Sequence, residues 1–310
     1  MNETLFNFLN SLKFGAVQTS ENLSVVPIFQ SNGRTLKFIS LDSAIKKGYV
    51  EIKEVSSSGS VPDLLLINNS DYFVFILHGE ELLGAKQNRI VNTSMLINKY
   101  TKVNIPVSCV ERGRWNYVSK NFITSDYIVP AELKKRTMFA AKESLKRNLG
   151  YRADQSEVWE HIDELSHKTK VVSRTSALHD VEKTFEQKYD ELINDFKLLP
   201  EQKGIVAFIN GKIQGIEFIS RKSVFRKYYK KILKSFAFNA IIGDEKILNI
   251  HPEYCLSQIQ EEMNYVKTKH WKSFKSVGLG FDYRNDNDKS VGSILEFNNE
   301  VISFNCYFEN

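Results

Sequence analysis

Residues 204–219 read GIVAFINGKIQGIEFI, two apolar runs, Ile205–Ile209 and Ile213–Ile219, on either side of Asn210-Gly211. Both turn residues tolerate positive φ, so this is the strongest short hairpin signal in the chain. A second, SILEFNNEVISFNCYF, closes the sequence across Asn298-Asn299. Between the two, helical periodicity spans about 222–240 and 253–270. Strands therefore come in antiparallel pairs and do not alternate regularly with helices, which disfavours a doubly wound parallel sheet and predicts an α+β fold.

Working toward the N-terminus, the helical period also governs residues 131–148, 155–168 and 175–197. The last has Leu178, Val181, Phe185, Tyr189, Leu192 and Phe196 at three- and four-residue steps, a core-facing stripe. Asp154, with Glu157 three residues on, is a capping pair for the helix from 155. Before residue 130 the pattern is β-rich. LSVVPIF, TLKFISL, YVEIKEV, DLLLIN, YFVFIL, IVNTSMLI and KVNIPVSCV are short and rich in Val, Ile, Phe and Tyr, with turn-prone clusters at Gln30–Gly33 and Ser56–Ser60. A short amphipathic helix carrying Leu5, Phe6, Leu9 and Leu12 opens the chain after a capping Asn2. The expected organisation is a β-rich region 1–130 with a mixed or antiparallel sheet core, a helical layer or insert 131–203, and an α/β segment 204–310, folded as one compact unit. Asn285–Ser290 reads as a surface loop.

Composition narrows the function classes. At 310 residues, 42% hydrophobic and 25% charged, the chain can bury a substantial core. No window approaches the roughly 18–20 consecutive apolar residues of a membrane span, and no secretory signal is visible at the start. A cytoplasmic protein with no membrane partner is expected. The three cysteines, Cys109, Cys255 and Cys306, form no CxxC pair and read as reduced thiols. A net charge of +5 suits an anionic small ligand and is too small to argue for nucleic acid. The six histidines show no close ligand pair, and both the Walker lysine and the dinucleotide fingerprint are missing, so neither metal nor cofactor is expected.

The chemistry concentrates in two segments. In GEELLGAKQNR, residues 79–89, Glu80, Glu81, Lys86, Gln87, Asn88 and Arg89 follow the apolar VFIL and precede IVNTSMLI. Polar groups at the ends of buried strands must find partners, within the protein or in a ligand. If the chain from Lys86 is extended, Lys86 and Asn88 face one side, Gln87 and Arg89 the other. In PVSCVERGRW, residues 106–115, Cys109 precedes Glu111 and two arginines. That setting lowers a thiol pKa if the group is reached by their charge, whereas a buried cysteine is a small hydrophobe. Arg114 beside Trp115 is a stacking pair for an anion or a base, or a structural cation-π contact. Arg152 is a further possible ligand contact. RKSVFRKYYKKILKSF, 221–236, is either a core helix with a lysine-rich wet face or a basic helix for a polyanion. VGLGFDYR, 277–284, is a glycine-rich turn ending in Arg284.

Taken in order, GEELLGAKQNRIVNTS, IPVSCVERGRW, YRADQSEVW, EQKGIVAFINGKI and VGLGFDYR resemble the family called the ARG and rhodanese-phosphatase-superfamily-associated protein domain, over roughly residues 20–308. Glu80, Glu81, Gly84, Lys86, Gln87, Asn88, Arg89, Cys109, Glu111, Gly113, Arg114, Trp115, Gln155, Trp159, Gly278, Gly280 and Arg284 match positions typical of that family. The family's genomic company is ADP-ribosylglycohydrolase and phosphatase genes, with suggested links to nucleotide-derived signals, RNA repair and conflict with phages. The resemblance implies a pocket that binds or hydrolyses an ADP-ribose-like or other nucleotide-derived ligand. Lys86, Arg89 and Arg114 would then meet phosphates, Gln87 and Asn88 ribose or base, and Trp115 would stack. Glu80, Glu81 or Glu111 would serve as acid or base, Cys109 as nucleophile, and Arg284 as a further ligand contact. The alternatives are a non-catalytic sensor or sequestering module using the same pocket, and an RNA-associated scaffold working through the 221–236 helix.

Overall fold

The structure, a computed structural model, describes residues 3–30, 36–56, 58–243, 251–285 and 289–309. The Asn2 cap, residues 31–33 of the first expected turn, Ser57, and residues 286–288 of the expected polar loop lie outside the described residues. The fold is α+β, and no helix among the described residues is long and apolar enough to cross a membrane. The chain divides into two compact units, each assembled from separated stretches.

One unit comprises Met1–Leu36, Gln187–Ser276 and Gly280–Asn310. Its antiparallel sheet runs in the order Leu12–Phe14, Leu23–Gln30, Gly204–Ile209, Lys212–Ile219, Glu300–Phe308, Ser290–Phe297, Phe281–Asn285, Trp271–Lys275, with Gln18–Ser20 also on Leu23–Gln30. Both predicted hairpins form. Asn210 and Gly211 sit at φ 51° and 74° with Ile209 opposite Lys212, and Asn298 and Asn299 at 54° and 59° with Phe297 opposite Glu300. One sheet face, with Val26, Phe208, Phe218 and Phe304, packs against the helices Glu3–Ser11 and Pro252–Thr268 through Leu5, Phe8, Cys255 and Ile259. The helix Lys222–Ile242 lies on the strands Leu23–Gln30, Gly204–Ile209 and Lys212–Ile219. Gly204–Ile209 is therefore buried at every position, which is why it reads as a continuous apolar run without alternation. The helix Lys222–Ile242 is itself a core element: Lys231 and Lys234 are buried along with its aromatic residues, and its wet face is narrower than the charge pattern predicts, with Arg226, Lys227 and Lys230 exposed.

The other unit comprises Lys37–Glu186 and Val277–Leu279. Its larger sheet is antiparallel in the order Phe122–Ile128, Glu80–Gly84, Arg89–Val91, Thr101–Cys109, Asp63–Asn68, Val50–Glu54. Its smaller sheet is Met95–Ile97, Phe73–Ile76, Phe38–Ser40, the last pair parallel. IVNTSMLI, expected as one strand, is two strands in different sheets. Asn92, Thr93 and Ser94 make the crossing, with the Asn92 amide donating to the Tyr151 carbonyl (3.2 Å) and its oxygen accepting from Ser108 (2.8 Å). TLKFISL is also divided: Ser40 accepts from the Ser43 amide (3.3 Å) and starts a short helix, Leu41–Lys46, that the strand pattern concealed.

The remaining helices are Ala131–Lys146, Gln155–Thr169 and Leu178–Thr184. Asp154 caps the second, accepting from the Ser156 and Glu157 amides. The helix expected over 175–197 is two helices, Leu178–Thr184 and Glu186–Ile193. The break is at Phe185, whose N–H closes a tight turn onto the Glu182 carbonyl. All six residues of the predicted stripe are buried.

Candidate functional site

GEELLGAKQNR folds as a hairpin. Glu81 pairs with Ile90 and Leu82 with Arg89, and the chain reverses at Gly84 (φ 122°) and Ala85 (φ 41°). Lys86, Gln87 and Asn88 therefore lie in a turn, and the alternation an extended segment would give them does not occur. A Cβ on Gly84 would overlap the Ser119 hydroxyl and crowd the Asn121 carbonyl. Pairing sorts the charged residues by face. Arg89 is opposite Leu82 on one neighbour and Cys109 on the other, so Arg89 and Cys109 share a face, while Glu81 and Ile90 point the other way.

The turn is held from outside by Glu111 and Arg114. Glu111 Oε1 accepts from Arg114 Nε (2.8 Å) and Thr175 Oγ1 (2.9 Å); Oε2 accepts from Arg114 Nη2 (2.6 Å) and the Asn88 amide (3.1 Å). Burial opposes its charge, but the bonds from Arg114, Asn88 and Thr175, with the Arg114 charge, outweigh it and hold the carboxyl below its ordinary pKa. Arg114 also donates to the carbonyls of Ala85 (2.7 Å) and Asn116 (3.0 Å) and to Asn88 Oδ1 (3.0 Å). Gln87 donates to the Glu111 carbonyl and accepts from Arg89 Nη1 (2.7 Å). Gln87, Asn88, Glu111 and Arg114, expected to meet a ligand or act on it, are joined to one another by these hydrogen bonds.

Arg89 is fully buried. Nη1 reaches Gln87, but Nε and Nη2 have no hydrogen-bond partner among the described residues, and Nη2 lies 4.0 Å from Glu54 Oε1, an ionic distance too long for a hydrogen bond. Burial lowers the pKa of this guanidinium, against the raising effects of Cys109 and Glu54. Cys109, in the same dry setting, is pushed up to about 11 by burial, which the Arg89 charge only partly offsets. The thiol is protonated at neutral pH. Of the two readings of Cys109 this favours the buried hydrophobe: the neighbouring arginines of the sequence, Arg112 and Arg114, are bound to Asp163 and Glu111, and desolvation dominates. All three cysteines are free and buried.

Lys86 is buried, 8% exposed, on the aromatic side of the turn. Its Nζ donates to the Ser58 carbonyl (2.8 Å) and lies 5.3 Å from the Trp115 ring centroid and 5.2 Å from that of Tyr117. The other two ammonium donors have no partner among the described residues. The Trp115 ring also covers Arg89, at 5.5 Å, yet Trp115 and Tyr117 remain 43% and 52% exposed. Tyr117 continues into the wall of an open cavity of about 710 Å³, lined also by Lys53, Glu54, Ser56, Val118, Ser119 and Lys120. That volume is in the range of small-ligand sites.

The model of the ARG and Rhodanese-Phosphatase-superfamily-associated Protein domain matches residues 11–307. The chain belongs to that family. No curated protein and no solved structure matches it. Several residues at family-typical positions are fasteners. Gln155 accepts from the Cys109 amide (2.7 Å) and donates to its carbonyl (2.9 Å), tying a helix to a strand end. Trp159 lies under Arg112 (5.2 Å). A Cβ on Gly278 would overlap the Leu96 carbonyl oxygen, so this glycine permits close backbone contact. Arg284 belongs to the other unit, where it is buried and donates to Asp282 Oδ2 from Nε (3.1 Å) and Nη2 (2.6 Å). Arg152 donates to both oxygens of Asp63.

Glu80 and Glu81 are both fully buried. Glu80 accepts from the Leu77 amide (3.5 Å). Glu81 Oε2 accepts from His179 Nδ1 (2.9 Å), and the Tyr127 ring lies edge-on to the imidazole (5.6 Å). The bond from Glu81 raises the His179 pKa, against the opposing effect of burial. Sequence reasoning missed His179, Thr175, Glu54, Lys53, Tyr117 and Lys120. Two left a signal: Tyr117 follows Trp115 at a spacing of two, and Glu54 continues the inward set Val50, Ile52 of an alternating strand.

Proposed function

We propose that this chain is a binding module for a nucleotide-derived anion of the ADP-ribose type, and that it retains its ligand unchanged. The observation that carries the reading is the open cavity of about 710 Å³ walled by the half-exposed Tyr117 ring and flanked by Lys53 and Lys120, with the buried Lys86 ammonium 5.2 Å from that ring. Stacking on an exposed ring and a charge-assisted bond to phosphate are the two contacts that nucleotide recognition needs most. Trp115 and Tyr117 take the base, and Lys86 takes phosphate, with Lys53 and Lys120 adding positive potential at the rim. Gln87, Asn88, Glu111 and Arg114 shape the turn that holds Lys86 in place.

Binding is favoured over hydrolysis by the state of two of the candidate catalytic groups, Glu111 and Cys109. A general acid or base works best with a pKa near the operating pH, whereas Glu111 is held ionised by four donors and Cys109 is held protonated. A sensor or sequestering role in a cytoplasmic contest with phages, or in RNA repair, would use such a retained signal; this context rests on the family's genomic company alone.

The test is incubation with labelled ADP-ribose, NAD and cyclic nucleotides, followed by separation of protein-bound and free label. The reading expects stoichiometric retention of intact ligand. Turnover would replace it with the hydrolytic alternative. Salt-sensitive RNA binding that survives Lys86→Ala and is lost on neutralising Lys227 and Lys230 would replace it with the scaffold alternative.

A further inference from the structure

Glu54 ends the strand Val50–Glu54, in which Val50, Ile52 and Glu54 are the buried, inward set. Val50 and Ile52 pack in the hydrophobic core of their unit. The third inward position carries a carboxyl group instead, and burying one without partners is costly. Glu54 is 7% exposed and is the only acid lining the cavity of about 710 Å³. Buried acceptors in folded proteins are ordinarily filled, as those of Glu111 are by four donors. Glu54 is filled by one long bond. Its Oε1 accepts from the Lys86 amide at 3.4 Å and stands 4.0 Å from Arg89 Nη2, too far for a hydrogen bond. Its Oε2 has no partner among the described residues. The cavity therefore sets one unfilled carboxylate between two flanking lysines, Lys53 and Lys120.

The two signs of charge sort one end of a ligand from the other. A phosphate is drawn to Lys53 and Lys120 and repelled by Glu54, whereas a hydroxyl donor satisfies the empty oxygen. Resting on the binding reading above, we infer that Glu54 is the specificity-determining residue of this cavity. The inner end of the ligand is a sugar whose hydroxyls donate to Glu54, its pyrophosphate stays beside Lys53 and Lys120, and nucleotides that end in phosphate are rejected. The ligand class is thus a sugar-terminated nucleoside diphosphate. ADP-ribose belongs to it through its terminal ribose. ADP, which lacks only that ribose, does not. A site built to bond a hydroxyl discriminates against the analogue without one, because its own buried group is left unpaired, and like-charge repulsion acts in the same direction.

Calorimetric titration of ADP-ribose and ADP at fixed ionic strength tests this in the parent, in Glu54→Gln and in Lys120→Ala. In the parent, ADP-ribose binds about tenfold or more tightly than ADP, the factor that a hydrogen bond to a charged group supplies. Glu54→Gln removes the charge and keeps an acceptor, so ADP-ribose weakens, ADP strengthens and their ratio falls toward one. Lys120→Ala weakens both ligands and preserves the ratio. The inference is overturned if the parent binds ADP as tightly as ADP-ribose, or if Glu54→Gln, shown to be folded by its thermal transition, keeps the parent's ratio. The parent's selectivity needs no variant, so it decides the matter if Glu54→Gln does not fold. Equal binding of the two ligands would leave the binding reading standing without this specificity. Failure of both to bind would remove both.

Discussion

Glu111→Gln distinguishes a structural carboxylate from a catalytic one. The native carboxylate accepts four hydrogen bonds, two from Arg114 and one each from Asn88 and Thr175. The amide that replaces it has one acceptor oxygen, so its NH₂ group must face two of those donors. Each buried donor left without an acceptor costs about 1–3 kcal/mol, and breaking one side of a buried ion pair costs about 3–5 kcal/mol. The pair is slightly solvated, with side-chain exposures of 13% and 7%, which places the loss near the lower bound, about 3 kcal/mol. In a unit of this size that is a drop of about 6–12 °C in Tm. Urea and thermal unfolding of the two proteins measure it. A variant as stable as the parent, or more stable, would refute the assignment, because removing a strained catalytic group typically stabilises a protein.

Other consequences follow from the same contacts. With a thiol-reactive dye at pH 7.5, none of the three cysteines labels in the native protein within minutes, and all three label in urea; rapid labelling of Cys109 in the native state would contradict its burial and raised pKa. The His179 pKa is raised in the folded state, so the stability it contributes is fully present below its unfolded pKa and is lost as pH rises through the folded value. His179→Gln should therefore narrow its Tm deficit from pH 6 to pH 9, and a deficit constant across that range would rule the pair out as an ionic contact. Gly278→Ala should destabilise by about 1–3 kcal/mol, the usual cost of forcing a methyl into packed structure, checked by thermal unfolding; an unchanged Tm would show that the turn has room.

What could be read from residues alone was what local geometry decides. The two Asn-containing hairpins were legible because their turns need positive φ, which Asn and Gly supply. Asp154 was legible as a cap, and the buried stripe from Leu178 to Phe196 was legible from its period. The break at Phe185 was not, because the apolar steps continue across it and neither Gly nor Pro marks it. The GEELLGAKQNR turn was hidden by Ala85, which adopts φ 41° despite its Cβ, held where Arg114 Nη1 and the Val118 amide meet its carbonyl. The site was half legible for a related reason. Its polar cluster could be located, but which members satisfy one another depends on pairings such as Cys109 with Arg89 and Glu81 with His179, residues that only the fold brings together. Two readings of Cys109 stayed open in the sequence for the same reason, since burial is a property of the folded environment and not of neighbouring sequence.

The most direct test of the central claim is calorimetric titration of ADP-ribose and NAD into the parent protein and into Lys86→Ala. The account predicts one site per chain in the parent and an affinity at least about tenfold weaker in the variant, the loss of a charge-assisted bond to phosphate. Equal affinities in the two proteins would place the ligand elsewhere, and the absence of binding to the parent would contradict the account outright.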